Sequence, residues 1–372
     1  MKFTILQKEL MEGLQKVAGV VPAKSPTPVL ENILFEIEDK TLRLTGTDLE
    51  ISVTTEVFPQ SVESPGAIAL PARVISEMIR SLPDIPIHFE IDDTHRMQIT
   101  AGKGFYQIAG ISKDNYPEIP EMTDAATVTV NNEQLSRMLA KTIFAVSSDE
   151  LRPALMGVFM QIGGGEFRMV ATDGHRLSKV VYAPFDYQDA NLKMIIPPKA
   201  IQIALKHLDR EGETRLFIDQ KGLRFEFEHT TLFTRLVEGQ YPDYERVIPR
   251  DNDKTLNVSK SQLIASVKRV SLFSSSLTHQ IRFSLQPDKL SILSEDVDMG
   301  GQAREELDVA YNAESMEIGY NAQYMMDILK QIDTEDVVFQ LKTAVNAALI
   351  MPSKEEENES FLMLIMPIKL SA

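Results

Sequence analysis

The feature that most constrains the fold of this 372-residue chain is a pattern that occurs three times. A short alternating stretch followed by a helix-like apolar stripe begins at residue 3. It begins again at residues 128 and 256, at intervals of 125 and 128 residues. Repeats of solenoid proteins span roughly 20–50 residues, whereas this interval is the length of a whole domain. The sequence therefore predicts one fold that is used three times in a row.

Two other landmarks recur with the same spacing. Residues 44–48 (LTGTD) match residues 169–173 (MVATD), and the pair Tyr116-Pro117 returns as Tyr241-Pro242. Independent motifs that share one period make coincidence a poor explanation. We predict three domains joined by polar linkers, comprising residues 1–121, 127–249 and 254–372.

Hydrophobic periodicity predicts the elements within each repeat. Most of the chain alternates apolar and polar residues with a period of two, as in residues 223–228 (LRFEFE), which is typical of half-buried antiparallel strands. Six segments have a helical period instead, near residues 7–18, 71–82, 134–144, 198–208, 261–271 and 321–332. The sequence therefore predicts an α+β fold in which each repeat packs two helices on antiparallel sheets of roughly eight short strands.

Composition excludes several classes of protein. The chain has no cysteine, so disulfide bonds, thiolate metal ligands and cysteine nucleophiles are excluded, and a reducing cytoplasm is indicated. The six histidines are scattered without a metal-ligand spacing such as His-Glu-x-x-His. No apolar run approaches the roughly 20 residues that span a bilayer, and no export leader is recognisable. We expect a cytoplasmic protein without membrane segment, metal or cofactor.

Charge is distributed unevenly along the chain. The net charge of −16 alone argues against binding to nucleic acid. The predicted helices nevertheless carry eleven basic and five acidic residues: Lys8, Lys16, Arg73, Arg80, Arg137, Lys141, Lys199, Lys206, Lys268, Arg269 and Lys330 against Glu9, Glu12, Glu77, Glu133 and Asp327. Spacings of four or seven residues place basic pairs on one helix face. The pattern predicts a basic wall that binds a polyanion through its phosphates, with little sequence preference and steep salt dependence.

Three longer strings carry a resemblance to a known family. They are residues 171–178 (ATDGHRLS), 238–244 (EGQYPDY) and 366–370 (MPIKL). With the triple repeat, they make the chain resemble the β sliding clamps of bacterial DNA polymerase III over its whole length. The resemblance implies a head-to-tail homodimer that forms a ring of six domains, with helices lining the hole and sheets outside.

The resemblance also implies a function without catalysis. Such a ring encircles duplex DNA without sequence preference, is opened and closed by a clamp-loader ATPase, and acts as a processivity factor. It tethers the replicative polymerase subunit and other replication and repair proteins through a peptide-binding groove. The residues that the resemblance assigns to this groove are Leu155, Thr172, Gly174, His175, Arg176, Leu177, Pro242, Arg246, Val247, Leu364, Met366, Pro367, Ile368, Lys369 and Leu370. Apolar walls with a methionine at the rim suit the Leu or Phe of a short peptide, and Arg and His suit polar anchoring.

Two further sets of residues follow from the resemblance. The positions expected to face DNA are Lys24, Arg73 and Lys199; residues 152–154 (RPA) stand where some relatives present tyrosines towards DNA. The apolar positions expected at the dimer interface are Tyr106 and Ile108 on the first domain and Leu272 and Phe273 on the third. Ser371 and Ala372 extend beyond the Met-Pro-x-Lys-Leu ending, and we expect them to form a disordered stub.

Two other classes of protein remain open from the residues alone. One is a carboxylate-dependent enzyme that uses Asp48, Asp173 or Asp296, with His175 as a partner. Its candidate acids occupy equivalent places in different repeats, so that domain size would separate them, and Asp-Gly after a strand is an ordinary turn signal. The other is a clamp-shaped scaffold that binds peptides without encircling DNA, and the repeated basic helix faces argue against it.

Overall fold

The computed structural model describes residues 1–92, 94–122, 125–187, 191–296 and 300–370. Two compact units divide the chain. Unit 1 comprises residues 1–136 and 199–236, and unit 2 comprises residues 137–198 and 237–372. Ser371 and Ala372, for which a disordered stub was predicted, lie outside the described residues.

Six α-helices occur in the described part of the chain, and all six were predicted. Their bounds are α1 Gln7–Ala18, α2 Ala72–Ser81, α3 Asn132–Ile143, α4 Pro198–His207, α5 Lys260–Val270 and α6 Ala322–Leu329. Helix α6 ends three residues before its predicted end, because the N–H groups of Gln331 and Ile332 bond the carbonyls three residues back and tighten the chain.

The strands fall into three successive groups, one in each repeat. In the first repeat they are β1 Lys2–Leu6, β2 Asn32–Glu38, β3 Thr41–Thr47, β4 Ile51–Val57, β5 Ser61–Ser64, β6 Gly66–Pro71, β7 Pro86–Ile91, β8 Arg96–Ala101 and β9 Gly104–Ala109. In the second they are β10 Ala126–Asn131, β11 Val158–Gly163, β12 Glu166–Thr172, β13 Arg176–Tyr182, β14 Leu192–Ile196, β15 Glu213–Ile218, β16 Leu223–Glu226 and β17 Thr230–Thr234. In the third they are β18 Lys254–Ser259, β19 Gln280–Gln286, β20 Lys289–Asp296, β21 Gly301–Asp308, β22 Ala310–Tyr311, β23 Met316–Asn321, β24 Asp336–Leu341, β25 Ala348–Pro352 and β26 Glu359–Ile365.

Unit 1 contains two antiparallel sheets. One has the order β5-β1-β7-β8-β9, and the other has the order β10-β15-β16-β17-β4-β3-β2-β6. The larger sheet combines strands of the first and second repeats, which meet where β4 pairs with β17. At this seam Thr55 lies opposite Thr230, and their hydroxyls are 2.8 Å apart. The first two repeats therefore share one continuous sheet.

Unit 2 repeats this arrangement with the second and third repeats. Its larger sheet has the order β14-β11-β12-β13-β26-β25-β24-β18-β22, and its smaller sheet has the order β21-β20-β19-β23. The seam runs along β13 and β26, from Arg176 opposite Ile365 to Tyr182 opposite Glu359. The predicted fold class, helices on antiparallel sheets in three repeated domains, is confirmed.

The helices bury their apolar stripes on these sheets. Helix α1 contacts α2 and packs on β3 and β4, with Leu10, Leu14 and Val17 completely buried. Each such side chain contributes about 1.5–3 kcal/mol when it leaves water. In unit 2 helix α5 contacts α6 in the same way. The helical period of the sequence therefore corresponds to the buried face of the helix.

One basic pair of the predicted wall is neutralised by carboxylates, with Lys141 buried and Arg137 half-buried. The Lys141 ammonium lies 2.8 Å from Glu359 and 3.0 Å from Asp333, and the Arg137 guanidinium lies 3.0 Å from Glu359. Lys141 and Glu359 are only 6% and 8% exposed. The prediction that this pair presents free positive charge is wrong for Lys141, because a strand of the third repeat supplies the opposing carboxylate. We call these four residues the ion cluster.

None of the helices in the described ranges has the length and apolar character that crossing a bilayer requires.

Candidate functional site

The floor of the candidate groove is an apolar cluster in unit 2. Its buried members are Leu155, Phe159, Val170, Leu177, Ile195, Tyr241, Tyr244, Leu349 and Leu364. Three of these, Leu155, Leu177 and Leu364, belong to the set that the resemblance assigns to the groove. They come from a short 3₁₀ turn at Pro153–Met156 and from the paired strands β13 and β26. We call this cluster and its rim the apolar groove.

A rigid turn forms one wall of the apolar groove. The Asp173 carboxylate accepts the backbone N–H groups of His175 and Arg176 at 2.8 and 2.9 Å. The Thr172 hydroxyl donates to the carbonyl of Arg176 at 2.6 Å and accepts the N–H of Gly174 at 3.1 Å. Gly174 has φ +91°, a conformation that favours glycine. The turn leaves Gly174 and His175 exposed.

Arg176 lies behind this wall. Its guanidinium donates to Asp173 at 3.1 Å, to Asp327 on α6 at 2.7 Å and to the carbonyl of Phe144 at 2.8 Å. It also lies over the ring of Tyr324 at 4.5 Å, and the residue is 9% exposed. In the free chain these partners hold the Arg176 guanidinium beside the turn, and its role towards a peptide stays a prediction.

The rim combines exposed apolar and polar groups. Met366 is 41% exposed and its N–H donates to the carbonyl of His175 at 2.8 Å. Val247 is 58% exposed, and the exposed Arg246 pairs with Asp243 at 2.7 Å. Pro242, which follows the buried Tyr241, is also exposed. Met366 and Val247 are thus the exposed apolar residues of the rim.

The terminal segment also makes a close backbone approach to β23, beyond the bond from Met366 to His175. The N–H of Ile368 donates to the carbonyl of Gly319 on β23 at 2.8 Å. A β-carbon on Gly319 would lie 2.6 Å from the Ile368 carbonyl oxygen and 2.8 Å from Leu370. Only glycine fits there. Pro367 and Leu370 are half-buried, while Lys369 is exposed.

Several contributors to the groove have no counterpart among the predicted residues. Tyr324 lies beside His175 with ring centroids 6.1 Å apart, and Phe159 stacks on Tyr241 at 4.9 Å. Burial raises the pKa of the Tyr241 hydroxyl, which therefore stays protonated. Tyr241 could have been found from the repeated Tyr-Pro motif. Tyr324 could not, since it belongs to a distant helix.

The candidate DNA-facing residues all belong to unit 1. Lys24 is exposed, and the Arg73 side chain is 87% exposed, with Glu77 of the same helix 3.0 Å away. The Lys199 ammonium lies 2.5 Å from the carboxylate of Asp48. The pair of Arg73 and Glu77 is exposed, and such pairs contribute little to stability. Arg73 and Lys24 are therefore the freer charges of the three.

The four candidate interface residues differ in exposure. Leu272 and Phe273 are 79% and 44% exposed, and Tyr106 is 38% exposed. Ile108 is only 8% exposed, since it points into its own unit, and does not offer a free apolar surface. Phe105, which the resemblance did not assign, is 64% exposed on the same strand.

The described residues contain no group of three or more His, Asp or Glu side chains that could hold a metal ion. The candidate acids of the enzyme hypothesis are occupied structurally: Asp48 and Asp173 each cap a turn and pair with a basic residue. A carboxylate that is already bonded in this way is poorly placed for acid–base catalysis.

Three domain-length repeats, each with two helices on antiparallel sheets, define the class: the protein has the sliding-clamp fold. More particularly, the chain belongs to the DNA polymerase III beta subunit family. The family models match residues 1–120 (N-terminal domain), 129–243 (central domain) and 245–369 (C-terminal domain). Its function is that of the family, a non-catalytic sliding clamp and processivity factor that works with DNA and the polymerase, which excludes the enzyme hypothesis.

Relatives of known identity extend over the full length. The beta sliding clamp of Pseudomonas aeruginosa is 33% identical over 373 residues and covers 100% of both chains. That of Chlamydia pneumoniae is 32% identical and covers 100% of this chain and 99% of its own. Among solved structures, the DNA polymerase III subunit beta of P. aeruginosa aligns with a TM-score of 0.94 at 32% identity, and the sliding clamp of Bacillus subtilis with 0.94 at 27%. Both structures cover 100% of each chain.

Proposed function

We propose that two copies of this chain close head to tail into a ring around duplex DNA in the cytoplasm. The observation that carries the proposal is a pair of open sheet edges. Strand β9 ends one sheet of unit 1, and β21 ends one sheet of unit 2. Each edge has exposed apolar residues nearby, Phe105 and Tyr106 at the first and Leu272 and Phe273 at the second. An open edge with apolar neighbours favours pairing with a second chain.

The ring holds DNA through phosphates and by enclosure. Lys24, Arg73 and Lys199 are the residues proposed to contact the backbone of the duplex. Their charges release counterions but read no bases, so the ring can move along any sequence. A loader ATPase supplies the opening step.

The apolar groove takes short peptides from the polymerase, the loader and other replication and repair proteins. Leu155, Leu177 and Leu364 offer an apolar floor, and the flexible Met366 adapts the rim to different side chains. A small contact area makes each complex exchangeable, which suits one site that is shared by many partners.

Retention on circular DNA tests the ring. A clamp loaded onto a nicked circular duplex should stay with the DNA through gel filtration and leave once the circle is cut, because only enclosure distinguishes the two substrates. Leu272→Asp should lose retention on the circle, whereas Leu277→Asp, a matched change at a residue 89% exposed, should keep it. Equal retention on circular and linear DNA would refute the ring.

Charge reversal tests the DNA contacts. The double variant Arg73→Glu with Lys199→Glu should bind duplex DNA more weakly and reduce the salt slope of log K by about 2, one for each lost phosphate contact. The exposed Lys40 in the β2–β3 turn serves as the matched control, and Lys40→Glu should leave the slope unchanged. An unaltered slope in the double variant would count against both residues.

A further inference from the structure

Unit 1 contains a second copy of the turn that forms a wall of the apolar groove. Asp48 accepts the N–H groups two and three residues later at 3.1 and 2.7 Å, as Asp173 does at 2.8 and 2.9 Å. The Thr47 hydroxyl donates to the carbonyl four residues later at 2.9 Å, as that of Thr172 does at 2.6 Å. Leu49 even keeps φ +78°, a conformation that is unfavourable for leucine. The backbone of the turn is reproduced bond by bond.

The neighbouring strand is reproduced as well. Strand β17 pairs with β4 as β26 pairs with β13. The N–H of Arg235 donates to the carbonyl of Glu50 at 2.9 Å, in the place of the bond from Met366 to His175 at 2.8 Å. Each unit also contains the Tyr-Pro motif, as Tyr116-Pro117 in unit 1 and as Tyr241-Pro242 in unit 2. Unit 1 thus has the scaffold of a peptide groove with different side chains.

These side chains make the surface polar. Thr45 and Ser52 lie where the apolar groove has Val170 and Leu177, 125 residues further on. Thr45 and its neighbour Thr54 share a hydroxyl hydrogen bond of 3.0 Å. A surface of hydroxyls does not accept the Leu or Phe that suits the apolar groove.

An open cavity of about 390 Å³ lies on this surface, and we call it the polar cleft. Its lining comprises hydroxyls of Ser52, Thr54 and Thr231, the guanidinium of Arg224, the apolar Ile119, Met122 and Phe233, and the rim residues Pro120 and Glu121. A larger cavity of about 920 Å³ adjoins it and shares Thr54 and residues 119–121. Together the two cavities leave room for several residues of an extended chain.

Arg224 supplies the recognition chemistry. Its guanidinium lies over the ring of Phe217 at 4.1 Å and is 3.8 Å from Glu226. The Arg224 side chain is 32% exposed, and 3.8 Å is too long for a hydrogen bond to Glu226, so the guanidinium has donors to offer a ligand. A carboxylate is the acceptor that a guanidinium binds best. The Glu121 carboxylate at the rim would repel a second negative charge on the ligand.

We propose that the polar cleft is a second peptide site, for an extended partner segment that carries one carboxylate beside an apolar side chain. The carboxylate binds Arg224 among the hydroxyls, and the apolar side chain rests on Met122 and Phe233. This site differs in chemistry from the apolar groove. Its existence requires neither the ring nor any peptide in that groove.

Two methionines report on the two sites separately. With ¹³C-methyl-methionine protein, the peptide acetyl-Ala-Asp-Val-Ala-amide, which lacks the Leu or Phe that suits the apolar groove, should shift the Met122 signal to saturation and leave that of Met366 unchanged. The peptide with Asn in place of Asp should bind about tenfold more weakly or worse, since it loses a charge-assisted hydrogen bond.

Variants assign the effect to the cleft. Arg224→Gln should weaken binding of the Asp peptide at least about tenfold, while Arg215→Gln, which alters an exposed arginine paired with the same Glu226, should not. Thr231→Glu places a negative charge in the lining of the cleft and should abolish binding of the Asp peptide. This variant tests the cleft even if Arg224→Gln does not fold. Absence of a saturable Met122 shift, equal binding of the Asn peptide, or binding that survives both variants would overturn the proposal.

Discussion

Glu359→Gln should lower the free energy of unfolding by about 3–5 kcal/mol, the range for removal of one partner from a buried ion pair. Glu359 accepts from Lys141 at 2.8 Å and from Arg137 at 3.0 and 3.2 Å. Without its charge, Lys141 stays buried with only Asp333, which is half exposed, as a counterion. Urea unfolding followed by circular dichroism would measure the shift in midpoint.

The control for this variant is Glu357→Gln, in the exposed acidic run just before β26. Exposed substitutions usually change stability by no more than about 0.5 kcal/mol. Equal midpoints for the two variants would mean that the ion cluster adds nothing to the stability of unit 2.

The ion cluster also predicts an acid response. Burial by itself would raise the pKa of Glu359, but hydrogen bonds from Arg137 and Lys141 outweigh it and lower that pKa from its ordinary value near 4.5. The stabilisation is therefore fully present above pH 4.5 and is lost as the pH falls through the lowered folded value. The Glu359→Gln protein should lack this part of the acid transition.

Removal of residues 366–372 should abolish binding of a Leu/Phe-containing partner peptide. The deletion takes away the Met366 rim and the backbone bond from Ile368 to Gly319. We expect a loss of at least about 2 kcal/mol, or roughly thirtyfold in affinity, because buried apolar anchors dominate such interfaces. Isothermal titration calorimetry with the peptide measures this directly.

The deletion leaves the sheet intact, since β26 ends at Ile365. Sedimentation should therefore show an unchanged oligomeric state, and Lys354→Ala, at an exposed lysine of the same unit outside the groove set, should bind peptide normally. Unchanged affinity in the deletion variant would remove the terminal segment from the binding site.

The sequence was a good guide to local structure and to the repeat. The helical stripe through Leu10, Leu14 and Val17 identified α1 because its period reflects a buried face. The pairing of strands from different repeats could not be predicted. The alternation in β4 or β17 shows that one face is buried, but it does not identify the distant strand that pairs with it.

The same limit explains what was missed in the site. Spacing along α3 showed correctly that Arg137 and Lys141 share a face, but the carboxylate opposite them comes from a strand more than 200 residues away. Likewise, nothing near Arg176 in the chain indicates that Asp327 engages its guanidinium. Long-range partners decide whether a basic residue is free or neutralised.

The strand pairing between repeats determines how the chain can be divided into fragments. Cleavage at the two linkers would give three fragments with unpaired strand edges, because each large sheet contains strands of two neighbouring repeats. A single cut within the middle repeat would not separate the two units either, because unit 1 comprises residues 199–236 as well as residues 1–136. The three repeats therefore depend on one another for complete sheets, and single-repeat fragments are poor surrogates for the whole.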